Sequence, residues 1–246
     1  ILMILSLRYI LFNLCILQAG PINKDLVQDY PSYDKMFSSF LNKKIQFWNL
    51  DVYNIYENIF PEKLTFYNAF IITGSAYGVY ENHSWIQELF EVIKKIVHLK
   101  TPLLGICFGH QAIAQALGGH VIKSSRGWGI GIKEITTKKY NCSLGNFNKL
   151  SLIFFHQDQV VKLPHDAELI AGNAFCNISS FSIGESVLTL QAHPEFNKDF
   201  TLKLLHARKS SIEPVTHLKA INELETLEHD GELIAPNIIN FLEQKF

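Results

Sequence analysis

The apolar positions of this chain fall into successive rhythms, and each rhythm predicts a kind of element. Leu14-Cys-Ile-Leu-Gln18 is a short apolar run closed by Ala19-Gly20-Pro21, and reads as the first core strand. Asn23 to Leu41 carries Leu26, Tyr30, Met36, Phe37 and Phe40 at mostly helical spacing, broken at Pro31, which predicts a covering helix or helix pair. Lys44 to Leu50 roughly alternates and is expected to be the second strand. Ala69-Phe-Ile-Ile-Thr73 is continuous, aromatic and β-branched, the mark of a strand buried on both faces of a parallel sheet. It stops at Gly74-Ser75. Ser84 to Leu99 places Trp85, Ile86, Leu89, Phe90, Val92, Ile93 and Ile96 on one helical face. A strand over 102–106 then runs directly into a helix-forming segment that ends at Gly118-Gly119.

From Gly119 the pattern shortens. His120–Ile122, Gly131–Thr136, Leu150–Phe155, Glu168–Ile170, Phe181–Ile183 and Val187–Gln191 are β-rich runs, with a polar turn over Asn141–Asn148. They predict a small antiparallel extension beside the parallel strands. Helical spacing returns over Lys198–Arg208, Val215–Leu227 and Pro236–Phe246. Strand and helix alternating through short links predict an α/β fold of the doubly wound kind, a flavodoxin-like three-layer sandwich with C-terminal helices. Ligands of such folds sit at the carboxyl ends of the strands. Both Gly74-Ser75 and Cys107 fall there.

Cys107 stands at the junction of strand and helix between Gly105 and Gly109. Gly-x-Cys-x-Gly has the mechanics of a nucleophile elbow, in which glycines permit a strained turn that exposes the central side chain. A helix N-terminus behind the sulfur supplies unpaired N–H groups and a partial positive charge, which suit an anionic nucleophile. A free cysteine is also an ordinary small core residue, so the elbow alone leaves both readings open.

Composition narrows the chemistry. The net charge is −1, which gives no electrostatic footprint for nucleic acid or an anionic membrane. The four cysteines lack a Cys-x-x-Cys pair and the ten histidines lack His-Glu-x-x-His, so no metal, disulfide framework or cofactor is expected. Residues 1–19 are nearly all apolar, as in a secretory signal or membrane anchor. Arg8 inside the run and the poor cleavage context of Leu17-Gln-Ala-Gly20 favour a strand from Leu14 instead. The expected organisation is an apolar leader over 1–13, a single domain over 14–246, and a cytoplasmic location.

A thiol nucleophile needs a base, and the base needs an orienting partner. His193-Pro194-Glu195 offers both on the loop after the last predicted strand. Proline disfavours helix at His193, and the carboxylate can fold back onto one ring nitrogen. Attack on a carbonyl also needs donors for the resulting oxyanion. The N–H of Phe108, next after the nucleophile, and the backbone of Gly74 are the natural candidates. Gly74 also has the plain reading of a turn.

These motifs together resemble the class I glutamine amidotransferases. Gly105-Ile-Cys-Phe-Gly-His-Gln-Ala-Ile-Ala-Gln-Ala-Leu-Gly-Gly119 is similar to the family's elbow, His193-Pro-Glu195 to its His-Pro-Glu motif, and Ile71-Ile-Thr-Gly-Ser75 to its oxyanion strand. The order Cys…His-x-Glu differs from that of α/β-hydrolases, where an acid precedes the histidine. Phe155–Val160, Cys176-Asn177 with Phe181–Gly184, and Gln191–Asn197 resemble stand-alone GMP-synthase-like amidotransferases and plant γ-glutamyl peptidases. The resemblance implies a Cys107–His193–Glu195 triad, with Ser75 and Gln111 at the γ-glutamyl substrate. It also implies that a loop bearing His156, Gln157 and Asp158 lines the pocket, although these could equally be polar loop residues.

The expected activity is hydrolysis of the γ-glutamyl amide of glutamine through a γ-glutamyl thioester. The alternative is a self-sufficient γ-glutamyl peptidase acting on glutathione-like compounds. The chain carries no phosphate-cradling glycine loop, so an amidotransferase role implies a separate synthetase subunit that receives ammonia. Aromatic residues in Ala76-Tyr-Gly-Val-Tyr80 could line the leaving-group side. A binding or regulatory module that has lost turnover is disfavoured by the intact Cys107, His193 and Glu195.

Overall fold

The computed structural model describes residues 12–30, 32–41, 48–138 and 144–244. The apolar leader over 1–11, the first half of the expected second strand over 44–47, and Cys142 lie outside them. The central feature is a nine-stranded sheet. Its parallel part is built from β1 (Phe12–Gln18), β2 (Trp48–Asn54), β3 (Ala69–Ile72), β4 (Leu103–Ile106) and β11 (Val187–Leu190). They lie in the order β2-β1-β3-β4-β11. The antiparallel runs continue the same sheet as β10 (Ser180–Ile183), β9 (Ala167–Gly172), β6 (Gly129–Thr137) and β7 (Lys149–His156). A separate two-stranded ribbon joins β5 (His120–Lys123) to β8 (Asp158–Lys162).

Alternation within the central strands fills both faces. Leu14 and Ile16 of β1, with Ala69 and Ile71 of β3, face α1 (Tyr33–Leu41) and α6 (Gly231–Leu242). Cys15, Leu17, Phe70 and Ile72 face α2 (Ser84–His98) and α3 (Phe108–Ala116). Along α2 the buried residues Trp85, Ile86, Leu89, Val92, Ile93 and Ile96 recur at helical spacing. Each stabilises the layer by roughly 1.5–3 kcal/mol on burial. A third cluster packs α4 (Lys198–Ala207) and α5 (Pro214–Thr226) against Ile130, Ile132, Ile153 and Phe155 of β6 and β7. Asn197 caps α4, its side-chain oxygen accepting from the Phe200 N–H at 2.8 Å.

Some expected boundaries move. The second strand runs on to Asn54, because as the edge strand it is buried only in part and admits Asp51 and Asn54. Residues 24–29 form turns, so the covering helix is α1 alone. The last helix begins at Gly231 rather than Pro236; Pro236 and Glu232 both lie on its exposed side, where a carbonyl without its helical donor meets water. His156 and Asp158 belong to β7 and β8, with only Gln157 between them, so they sit at strand ends rather than on a loop. Among the described residues no helix is long and apolar enough to cross a membrane.

Candidate active site

Three parallel strands end side by side and deliver the expected residues to one place. Ile72 of β3 pairs with Gly105 of β4, and Leu190 of β11 with Ile106. Gly74, Cys107 and His193 all lie a residue or a few beyond those pairs. They line one cavity of about 300 Å³, together with Ser75, Gln111, His156, Gln157 and Asp158.

The turn at Cys107 is strained, with φ 50° and ψ −100°, a region that a side chain with a Cβ seldom adopts. The flanking structure over-determines it. The Cys107 N–H donates to the Leu190 carbonyl at 2.7 Å, and the Cys107 carbonyl accepts from the Gln111 N–H at 3.1 Å. Gly105 and Gly109 are there for closeness: a Cβ on Gly105 would lie 2.6 Å from Ile113 Cδ1, and one on Gly109 would lie 2.8 Å from Ile72 Cβ and against the Ile72 carbonyl. Cys107 caps the N-terminus of α3 and is 5% exposed, so its sulfur opens only to the cavity.

His193 is fixed on every side. Its N–H donates to the Ile153 carbonyl at 2.8 Å, its Nδ1 lies 2.8 Å from Glu195 Oε1, and its ring stacks on Phe196 with centroids 3.9 Å apart. A Cβ at Gly74 would lie 2.7 Å from His193 Cε1 and 3.6 Å from both His193 Nε2 and Cys107 Cβ. Gly74 therefore touches thiol and imidazole at once. Burial pulls the His193 pKa down, but the adjoining Glu195 carboxylate and the Cys107 sulfur outweigh it and push the value up to about 10. Tyr33 enters the same cavity from α1. Burial, then the nearby Glu195 and Cys107, push its phenol up, so it stays neutral.

The remaining expected residues divide by how their polar atoms are engaged. Gln111 donates from Nε2 to the Asp158 carbonyl at 2.8 Å and to Gln191 Oε1 at 3.0 Å. With both N–H groups taken, it can offer a ligand only its own carbonyl oxygen. The Ser75 hydroxyl donates to the Ala19 carbonyl at 2.7 Å and accepts from the Tyr77 N–H, tying β3 to the end of β1. His156 is buried, and Nδ1 donates to the Asp158 carbonyl at 3.0 Å; burial pushes its pKa down to about 4, so the ring is neutral. Gln157 lines the cavity, and its carbonyl accepts from the Ser124 N–H at 3.1 Å. His110, three residues from Cys107, faces the opposite way. Its Nδ1 meets Thr189 Oγ1 at 2.8 Å in the core, and burial pushes its pKa down to about 3.

Pattern reading leaves out the wall opposite Asp158. It is made by Tyr33, Trp128, Phe196, Phe200, Leu204 and Arg208, drawn from α1, β6 and the segment after the His-Pro-Glu motif. Only Phe196 carried a signal, by following Glu195 directly.

Comparison with known proteins agrees with this geometry. The family model of class I glutamine amidotransferases matches residues 36–203. Gamma-glutamyl peptidase 3 of Arabidopsis thaliana is 34% identical over 224 residues, covering 87% of this chain and 89% of its own length. The glutamine-hydrolyzing subunit of the GMP synthase of Saccharolobus solfataricus is 28% identical, covering 66% of this chain and 86% of its own. In three dimensions, a glutamine amidotransferase of Thermotoga maritima superposes with a TM-score of 0.73 at 20% identity, over 95% of this chain and 97% of that one, and shows the same fold. With the family model spanning most of its length and a relative above 30% identity along nearly all of it, the chain belongs to the class I glutamine amidotransferase family.

Proposed function

We propose that this protein hydrolyses γ-glutamyl amide bonds, with Cys107 as nucleophile, His193 as proton carrier and Glu195 as the group that orients and charges His193. The observation that carries this reading is the 2.8 Å contact between Glu195 and His193 Nδ1, in a ring whose other edge abuts Gly74 and the cavity that holds Cys107. An imidazole held protonated by a buried carboxylate pairs with a thiolate, and can give its proton to a departing amine. The sulfur attacks the γ-carbonyl, the N–H groups of Gly74 and Phe108 receive the oxyanion, and the C–N bond breaks as His193 protonates the amine. Water, its proton taken by His193, then opens the thioester and releases glutamate.

The leaving group is an amine larger than ammonia. The cavity continues past Cys107 along the aromatic and aliphatic wall of Trp128, Phe196, Phe200 and Leu204, which a bare amide nitrogen would leave unfilled. Similarity to γ-glutamyl peptidases along most of the chain supports the same choice. The second reading is a glutaminase that passes ammonia to a separate synthetase subunit, favoured by the similarity to the glutamine-hydrolyzing GMP synthase subunit of Saccharolobus solfataricus. Purified protein alone, offered glutamine and γ-glutamyl dipeptides with glutamate release followed, decides between them. Fast dipeptide cleavage with little glutaminase activity is expected. Glutaminase activity that emerges only with a synthetase present would overturn the peptidase reading.

A further inference from the structure

We propose that Tyr80 is a positioning residue that fixes the Asp158 carboxylate to receive the α-ammonium group of the ligand, an inference that rests on the γ-glutamyl reading above. The Tyr80 hydroxyl lies 3.0 Å from Oδ1 and 3.0 Å from Oδ2 of Asp158. A single donor straddling both oxygens locks rotation of the carboxylate about its last torsion. It engages one side of each oxygen, and the carboxylate keeps further lone pairs for a second partner. The backbone of Asp158 is fixed independently, because its carbonyl accepts from Gln111 Nε2 at 2.8 Å and from His156 Nδ1 at 3.0 Å. Without Tyr80 only the carboxylate itself would be free to turn.

The loop that carries Tyr80 is built to hold it there. The Gly78 N–H donates to Glu81 Oε1 at 2.7 Å, and the Tyr80 ring lies on Gly78, where a Cβ would come within 2.9 Å of Tyr80 Cζ and 3.2 Å of Asp158 Oδ2. Tyr80 is nevertheless 53% exposed, so its ring contributes little to the core. A large aromatic on the surface whose one polar atom is aimed at a cavity carboxylate is explained by that carboxylate. Asp158, Lys123 and Glu81 line this end of the cavity, whereas the apolar wall lies at the other, so the charged end suits an amino-acid head group. Tyr80 therefore serves the head group, not the leaving group that its place in Ala76–Tyr80 first suggests.

The test uses Cys107→Ala protein, which binds without turnover, and titrates L-glutamine and glutaramate, the same ligand without its amine. Tyr80→Phe is expected to weaken L-glutamine about five- to tenfold, the worth of one hydrogen bond to a charged group, and to leave glutaramate unchanged. Asp158→Asn should weaken L-glutamine as well, and Tyr80→Phe should add nothing on top of it. In the enzyme with its thiol, Tyr80→Phe should raise KM for a γ-glutamyl dipeptide with kcat within about twofold. Unchanged L-glutamine binding, equal weakening of both ligands, or additive losses with Asp158→Asn would overturn the assignment. Tyr80-dependent binding in a protein that releases no glutamate would leave the assignment standing and remove the hydrolase reading. A protein that binds neither probe would remove both.

Discussion

Gly74→Ala isolates one geometric demand of the site. The added methyl carbon would sit 2.7 Å from His193 Cε1 and 3.6 Å from Cys107 Cβ. Carbon atoms rest at about 3.5–4.0 Å, so the imidazole must retreat by about 1 Å. It has nowhere to retreat without loss, because Glu195 holds Nδ1 at 2.8 Å, Phe196 backs the ring at 3.9 Å between centroids and Ile153 anchors the backbone. Gly74 does not use a left-handed backbone, so alanine brings no torsional penalty, and the Gly74 N–H survives the change. The variant should fold with a stability loss of about 1–3 kcal/mol, as for other overpacked sites. Turnover should fall about 100-fold or more, as expected for a 1 Å displacement of a reacting group. Steady-state glutamate release, read beside a thermal melt, measures both. A folded Gly74→Ala protein that keeps half of the wild-type rate would refute the claim that imidazole and thiol meet across this glycine.

Other expectations follow from the same contacts. Gly109→Ala places a methyl group against the Ile72 carbonyl and Cβ, backbone and core that cannot yield, so it should cost more stability than Gly74→Ala in a denaturant titration; an equal or smaller loss would argue against the tight elbow. The His193 pKa lies above its unfolded value, at about 10, so the stability it contributes is present in full below about pH 6.5 and is lost as pH rises through about 10. Thermal melts of wild type and Glu195→Gln should therefore differ most at pH 6 and converge toward pH 10; a gap that does not narrow would contradict a charged His193. Glu195→Gln should also lower kcat by at least about 100-fold, since the amide no longer holds the ring in its charged form.

The sequence exposes most of the parallel sheet because β1, β3, β4 and β11 are buried on both faces, and such strands must be continuous apolar runs. The edge strand β2 escapes that rule, as half of its side chains meet solvent and Asp51 and Asn54 look like loop residues. β8 begins with Asp158-Gln159, whose polar side chains serve the cavity and its surroundings, so composition hides the strand. Pro236 resembles a helix start because proline favours first turns, yet its exposed position tolerates it inside α6. At the site, Cys107 and the His193–Glu195 pair are legible because local sequence fixes them: a turn between two glycines, and an acid two residues from its base. The bond of Tyr80 to Asp158 spans 78 positions of chain and the aromatic wall gathers residues from α1, β6 and beyond β11, so neither leaves a local pattern.

The central claim is that Cys107 carries the glutamyl group. Protein mixed with a γ-glutamyl dipeptide labelled in its glutamyl half, quenched in acid within the first turnovers and digested, tests it most directly. The label should appear on the peptide that contains Cys107, be released by hydroxylamine as a thioester is, and be absent from Cys107→Ser protein, which should also lose hydrolysis. Hydrolysis that persists in Cys107→Ser, or turnover in the wild type with no label on Cys107 at any quench time, would contradict the account.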